Sequence, residues 1–266
     1  MDKEELEELK HIRILLVDDE PFMRRVIEQA LSKYSLKNVI KAADGREALD
    51  ILANEDVDLL LTDVQMPEMN GLQLLKTVRC GYRQVRSTLP TVIVTGLTDI
   101  EIMGHAIGLD VSGFLTKPVV PASIVKTVMK AHLERDLEPR DKSAYLTIPT
   151  SLDHTDQELE AELTDSGPAE KVETVEQVET AEDDAVRETR VYAHQLEPYM
   201  QLTRDVVSET GRLLLSAGFV LNTRTINRLM DLREVVQSDV FYVQKTCQAD
   251  EVKTADQRTL TGVQRD

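Results

Sequence analysis

Acidic, hydroxyl and basic side chains follow apolar runs at several points in this sequence, where a binding site would need them. The set is Asp18, Asp19, Asp63, Thr95 and Lys117. Three carboxylates brought together would raise one another's pKa unless a cation neutralised them. Mg²⁺ takes oxygen ligands and leaves coordination positions that phosphoryl oxygens can fill. The set therefore predicts phosphoryl chemistry, with a carboxylate nucleophile and with a lysine and a hydroxyl that stabilise charge.

The apolar runs alternate with helical patterns between residues 12 and 134. Strands are predicted near 12–17, 38–42, 59–61, 91–95 and 113–116, and helices follow from residues 21, 46, 72, 100 and 124. Five strand–helix pairs predict a doubly wound parallel α/β domain. Sheets of this class bind ligands beyond the carboxyl ends of their strands, which is where all five polar residues fall.

Each of these residues has a simpler interpretation when it is taken alone. Asp18 and Asp19 could cap the helix that follows them, because acids favour helix N-termini. Thr95 could be an ordinary hydroxyl at a strand end, and Lys117 could be a solvated lysine. Only the combination favours a functional site.

Residues 12–134 resemble the receiver domain of bacterial two-component response regulators, of the chemotaxis-regulator type. The matching motifs are Leu16-Val17-Asp18-Asp19-Glu20, Leu61-Thr62-Asp63-Val64-Gln65-Met66-Pro67-Glu68-Met69-Asn70-Gly71, Val94-Thr95-Gly96 and Phe114-Leu115-Thr116-Lys117-Pro118. Each motif is weak alone, but together they are highly specific. The resemblance implies a flavodoxin-like fold with five parallel strands in the order 2-1-3-4-5.

The resemblance also implies a role for each residue of the site. Asp63 takes the phosphoryl group from a phosphohistidine, and Mg²⁺ is bound by Asp19, Asp63 and the Gln65 backbone carbonyl, with Asp18 acting mainly through water. Lys117 and Thr95 stabilise the phosphoryl group.

Three further positions carry expectations from the same family. Phe114 is implied to turn inward when Thr95 moves toward the phosphate, and Pro118 is the candidate for a cis peptide bond. An apolar Leu97 cannot orient a water molecule, which favours slow self-hydrolysis of the acyl phosphate.

The remaining chain divides by composition. We predict a polar extension over 1–11, a receiver over 12–136, an acidic disordered linker over 137–190, a small strand–helix module over 191–245 and a polar tail over 246–266. The linker is rich in acids and has little to bury. Within the module, Asn222 or Thr223 could cap a helix.

The C-terminal module has a resemblance of its own, to the small module that precedes the catalytic domain of HD-GYP cyclic-di-GMP phosphodiesterases. The matching segments are 196–200, 203–206, 211–221 and 226–229. The sequence contains no His-Asp dipeptide, and Gly81-Tyr82 is followed by Arg83 rather than proline. Phosphodiesterase activity is therefore not expected, and a degenerate phosphodiesterase is the least favoured interpretation.

Charge and hydropathy narrow the expected partners and location. The net charge of −17 argues against a general nucleic-acid or acidic-membrane binder. No apolar run is as long as a membrane span, and the charged N-terminus lacks the pattern of a signal peptide, so a cytoplasmic protein is expected.

We therefore expect a non-enzymatic signalling switch. Its partners would be a sensor histidine kinase or phosphotransfer protein, an unknown output protein, or a second copy bound through the 99–134 face. The alternative is a phosphorylation-controlled transcription factor with an unrecognised DNA-binding output.

Overall fold

The structure is a computed structural model that describes residues 10–96, 100–134, 140–150, 188–233 and 236–245. Several sequence predictions fall outside these ranges. They concern most of the N-terminal extension, Leu97, the greater part of the acidic linker and the polar tail. The proposed division of the chain into domains at those borders therefore stays a prediction.

The N-terminal half is a parallel sheet with helices on both faces. Its strands are Ile14–Val17 (β1), Val39–Ala42 (β2), Leu59–Asp63 (β3), Thr91–Gly96 (β4) and Gly113–Lys117 (β5). Its helices are Pro21–Ser32 (α1), Gly45–Asn54 (α2), Gly71–Arg79 (α3), Ile100–Gly108 (α4) and Pro121–Leu133 (α5). The order β2-β1-β3-β4-β5 confirms the predicted doubly wound fold. None of the described helices is long and apolar enough to cross a membrane.

The apolar character of the central strands explains this layering. All residues of β1 and β3 are buried, as expected for parallel strands that are covered on both faces. On one face they pack with Leu31 of α1 and Val128 of α5. On the other face they pack with residues of α2 and α3.

A short helix lies in the segment where the sequence analysis placed the start of the linker. Lys142–Leu146 (α6) is helical, and Tyr145 is fully buried. The Tyr145 hydroxyl donates a hydrogen bond to Asp110 Oδ2 at 2.7 Å. A composition-based prediction missed this order because it depends on one aromatic side chain that finds a distant partner.

The described residues of the C-terminal module form two small antiparallel sheets and one α-helix. The strands are Thr189–Tyr192 (β6), Met200–Leu202 (β7), Val206–Val207 (β8), Leu213–Leu215 (β9) and Val240–Lys245 (β10), and the helix is Thr223–Asp231 (α7). The sheets have the orders β6-β10-β7 and β8-β9. Of the two candidate caps, Asn222 is the one that accepts a hydrogen bond from the Thr225 backbone N–H.

The module packs directly on the first domain. Met103 and Ile107 of α4 belong to the same buried cluster as Leu202, Leu214 and Leu229 of the module. The 99–134 face, which the sequence analysis left open for a partner or a second copy, is thus partly covered by the chain itself.

We predict that Tyr145→Phe lowers the free energy of unfolding by about 1–2 kcal/mol, because a buried hydrogen bond to a charged group is lost. The Tyr145 hydroxyl also accepts a hydrogen bond from the Arg140 backbone N–H at 2.8 Å, so two polar groups lose a partner. Urea unfolding measures the change. Tyr34→Phe is the matched control, because Tyr34 is 45% exposed. Equal stability of the two variants would contradict the structural role of Tyr145.

Candidate functional site

The register of the parallel sheet brings the predicted acidic residues together. Val17 of β1 pairs with Thr62 of β3, so the residues that follow them, Asp18 and Asp63, emerge side by side. Asp19 lies next to Asp18 and is exposed. One carboxylate oxygen from each of the three residues lies within 4.8 Å of the others.

Asp63 is held by a donor on each carboxylate oxygen. Oδ1 accepts the Val64 backbone N–H at 2.8 Å, and Oδ2 accepts the Lys117 ammonium at 2.7 Å. The residue is 4% exposed. Two fixed donors orient the carboxylate at the strand end, as a positioned nucleophile requires.

Gly71 allows the loop after Asp63 to close tightly over the strand. A Cβ atom at position 71 would lie 2.1 Å from the Asp63 carbonyl oxygen, which any side chain would clash with. The Gly71 backbone N–H also donates to the Val64 carbonyl at 2.9 Å. The sequence motif contained this glycine, but its spacing alone did not reveal that it packs on the backbone of Asp63.

Asp18 is the most buried member of the acidic group. Burial, together with the charges of Asp63 and Asp19, raises its pKa above the ordinary value, against the lowering effects of the Glu20 backbone N–H and of Lys117. Its Oδ1 accepts the Glu20 N–H at 2.8 Å. Among the described residues its buried Oδ2 has no hydrogen-bond partner. A buried oxygen without a donor, beside two further carboxylates, fits the ligand set of a hard divalent cation.

Lys117 provides the positive charge of the site. Its Nζ lies 2.7 Å from Asp63 Oδ2 and 3.7 Å from Asp18 Oδ2. Burial lowers its pKa, but the hydrogen bond to Asp63 and the charges of Asp63 and Asp18 outweigh burial and raise the pKa overall. The residue is therefore a charged ammonium at neutral pH.

The remaining predicted residues lie around this centre. Thr95 is buried near the end of β4, and its hydroxyl donates to the Gly96 carbonyl at 3.2 Å rather than to the acidic group. Thr95 pairs with Thr116, the residue before Lys117. Gln65 is exposed two residues after Asp63, and the peptide bond between Lys117 and Pro118 is cis.

Phe114 lies further from the acids and joins two clusters. It is half-buried and packs against a receiver cluster that contains Val64 and Ile93. It also packs against the cluster that includes the C-terminal module. Phe114 lies on β5 three residues before Lys117, so the same strand carries a residue of the acidic site and a contact with the C-terminal module.

Neither Asp18 nor Asp19 is the N-cap residue of helix α1. Helix α1 has Glu20 as its N-cap residue, without a side-chain capping bond, and Pro21 in its first turn. The sequence analysis missed Arg24, whose guanidinium donates to the Asp18 backbone carbonyl. Its position one turn into α1, close in sequence to Asp18, could have indicated this contact.

Comparison with known proteins identifies relatives of the N-terminal half. Residues 14–129 match the family model described as "Response regulator receiver domain". The "Chemotaxis protein CheY homolog" of Campylobacter jejuni is 37% identical over 124 residues, which cover 46% of this chain and 90% of that protein. "Chemotaxis protein CheY1" of Helicobacter pylori is 36% identical over 131 residues, which cover 49% of this chain and 100% of that protein.

A solved structure of the chemotaxis response regulator CheY4 of Vibrio cholerae is also similar. It is 30% identical, with a TM-score of 0.42, over 45% of this chain and 98% of that one. The family match ends at residue 129 and so does not bear on the C-terminal module. The resemblance of that module to HD-GYP proteins stays a prediction.

We predict that Asp18→Asn raises the melting temperature by a few degrees at pH 7 in the absence of divalent cations. The raised pKa means that the folded protein holds this proton more tightly than the unfolded chain. Ionised Asp18 therefore lowers stability at neutral pH, and the penalty fades below the ordinary aspartate pKa of about 3.9.

Thermal unfolding across this pH range measures the difference between the variant and the wild type. The difference in melting temperature should shrink as the pH falls toward the ordinary aspartate pKa of about 3.9. It should also shrink when Mg²⁺ is added, because the cation neutralises the acids of the wild type. Asp56→Asn, at an exposed position, is the control. A variant that is less stable than the wild type at pH 7 without metal would contradict the prediction.

Proposed function

The chain belongs to the family of CheY-like response regulator receiver domains, and we propose that Asp63 is its phosphoacceptor in a two-component phosphorelay. The observation that carries this proposal is the Asp63 carboxylate, held between the Val64 N–H and the Lys117 ammonium beside two further acids. The phosphoryl donor would be a phosphohistidine of a sensor kinase or of a phosphotransfer protein.

In the proposed transfer, the Asp63 carboxylate is the nucleophile and the external phosphohistidine is the donor. A carboxylate oxygen of Asp63 forms a bond to phosphorus, the bond from phosphorus to the donor's imidazole nitrogen breaks, and that nitrogen keeps the electron pair. The product is an acyl phosphate on Asp63. The Lys117 ammonium lies within reach of both Asp63 and Asp18, so it can neutralise the negative charge of the phosphoryl oxygens after the transfer.

We propose Mg²⁺ as the cofactor of this site. Asp19, Asp63 and the Gln65 backbone carbonyl would hold it directly, and Asp18 would act mainly through water. Bound Mg²⁺ supplies charge neutralisation for the acids and for the phosphoryl oxygens. Asp18 Oδ2, which accepts no hydrogen bond from the described residues, and the close approach of the three carboxylates support this assignment.

The switch is proposed to pass through Thr95 and Phe114. A phosphoryl group on Asp63 offers an acceptor to the Thr95 hydroxyl, whose present hydrogen bond to its neighbour's carbonyl is long at 3.2 Å. A shift of Thr95 changes the surroundings of β5, where Phe114 lies. We propose that the phosphorylated and unphosphorylated proteins therefore differ in a protein–protein contact.

We propose a protein output rather than a DNA-binding or enzymatic one. Three arginines of the module lie in ion pairs with acids: Arg204 with Glu188, Arg228 with Glu134, and Arg233 with Asp239. Guanidinium groups that are already neutralised release few counterions from a nucleic acid. Phosphodiesterase activity is not part of the proposal.

We predict that the wild type gains one phosphoryl group when it is incubated with Mg²⁺ and a small phosphodonor, whereas Asp63→Asn gains none. The amide is a poor nucleophile, so the acyl phosphate cannot form. Intact-mass measurement reads the difference, and Asp56→Asn controls for the loss of one acidic charge. Labelling of Asp63→Asn to the wild-type level would overturn the assignment.

We predict that Asp19→Ala weakens Mg²⁺ binding about tenfold or more, because an oxygen ligand of the hard cation is removed. Isothermal titration with MgCl₂ measures the dissociation constant. Asp56→Ala is a suitable control, since Asp56 is exposed and precedes β3, whereas Asp63 ends that strand. An unchanged Mg²⁺ affinity would remove Asp19 from the proposed ligand set.

A further inference from the structure

We propose that the 140–150 segment, which the family match does not reach, positions the phosphoryl site by holding the loop at 64–71 in place. This loop directly follows Asp63 and carries the backbone carbonyl of Gln65, the proposed Mg²⁺ ligand. The inference therefore rests on the proposed function. It adds to that function a positioning element that lies outside the residues matched by the receiver family.

Asn70, near the end of this loop, makes a direct contact with the segment. Its side-chain Nδ2 donates to the Thr150 carbonyl at 2.9 Å, and its Oδ1 accepts the Gln73 backbone N–H at 2.9 Å. Asn70 is 6% exposed, so an amide that lost Thr150 would leave a buried donor without a partner. One side chain thus fixes the loop both to the start of α3 and to the 140–150 segment.

Backbone contacts link the position of Asn70 to that of Asp63. Gly71, the next residue, donates its N–H to the Val64 carbonyl at 2.9 Å and leaves no room for a side chain against the Asp63 carbonyl. The Val64 N–H in turn donates to Asp63 Oδ1. A displacement of Asn70 would therefore disturb the backbone that orients Asp63 and presents the Gln65 carbonyl.

Apolar packing joins the 140–150 segment to the same loop. Tyr145 is fully buried, and it belongs to the same cluster as Val64 and Leu72. Val64 begins the loop, and Leu72 directly follows its end. Ile148 packs against this cluster as well. The segment thus contributes to the core that supports both ends of the loop.

Two cationic side chains hold the segment on the sheet domain. Lys76 of α3 is 5% exposed, and its ammonium donates to the carbonyls of Leu146 and Ile148 at 2.9 and 3.1 Å. A cation at this position satisfies carbonyls that the end of a helix leaves unpaired. Arg140 pairs with Asp110, which follows α4, at 3.1 Å. With both anchors in place, the segment offers Asn70 a fixed partner.

The direction of the effect follows from the geometry that Mg²⁺ requires. This cation demands near-ideal octahedral coordination, so ligands that are already fixed bind it better than ligands that must first be ordered. A backbone carbonyl such as that of Gln65 depends entirely on its loop for its position. Loss of the contacts from the 140–150 segment should therefore weaken Mg²⁺ binding, although the segment supplies no proposed ligand.

The test measures Mg²⁺ affinity in the full chain by isothermal titration, at a temperature where every variant is folded. Asn70→Ser keeps a good helix cap but is too short to reach Thr150. Lys76→Met removes the donor to the two carbonyls of the segment. Lys37→Met controls for the loss of one positive charge, since Lys37 is exposed and precedes β2. Hydrogen exchange of the amides at 64–71 reports the order of the loop.

We expect Asn70→Ser and Lys76→Met to raise the Mg²⁺ dissociation constant about threefold or more, less than the roughly tenfold effect of partners that contact metal ligands directly. Exchange at 64–71 should be faster in both variants, and Lys37→Met should resemble the wild type. The loss of a positive charge would by itself strengthen Mg²⁺ binding, so weaker binding by Lys76→Met cannot come from charge.

A segment with a merely structural role would lower the melting temperature of these variants and leave their Mg²⁺ affinity unchanged. Unchanged affinity in either variant, or unchanged exchange at 64–71, would therefore overturn the inference. Failure of the wild type to bind Mg²⁺ at all would instead overturn the proposed metal site.

Discussion

The crowding of three carboxylates at one edge of a parallel sheet is the constraint on which the rest of this structure depends. Parallel strands end at the same edge, so Asp18 and Asp63 meet because Val17 and Thr62 are in register. Their repulsion has to be offset within the domain. Lys117, at the end of β5, supplies the offset through contacts of 2.7 and 3.7 Å.

This arrangement makes the site responsive to added charge. Burial raises the pKa of Asp18, and its buried Oδ2 accepts no hydrogen bond from the described residues, although the Lys117 ammonium lies 3.7 Å away. A cation stabilises such a group more than it stabilises an exposed acid, because burial weakens competition from water. The divalent cation proposed for this site would relieve the cost in stability of this buried charge.

A second buried charge holds the parts of the chain together. Asp110 is 2% exposed, and its carboxylate binds Tyr145, Arg140 and Asn222. Burial, together with the Asp110 charge, raises the pKa of Tyr145 to about 12, so the hydroxyl remains a donor at physiological pH. One carboxylate therefore joins the sheet domain, the segment at 140–150 and the C-terminal module.

The sequence by itself determined the five-stranded parallel fold and the residues of the acidic site. Alternating apolar runs define the strands, and motif residues that follow strands 1, 3, 4 and 5 must meet at one edge. These features depend on local patterns and on a general property of parallel sheets, so they can be read without coordinates.

Only the tertiary structure decided where the described part of the C-terminal half lies and that it packs on α4 and on Phe114 of β5. The helix at 142–146 was predicted as linker because its one buried aromatic residue has a partner 35 positions away. Gly104 gave no sequence signal, since its role depends on the approach of Leu214. Such contacts join residues far apart in the chain, and no local periodicity encodes them.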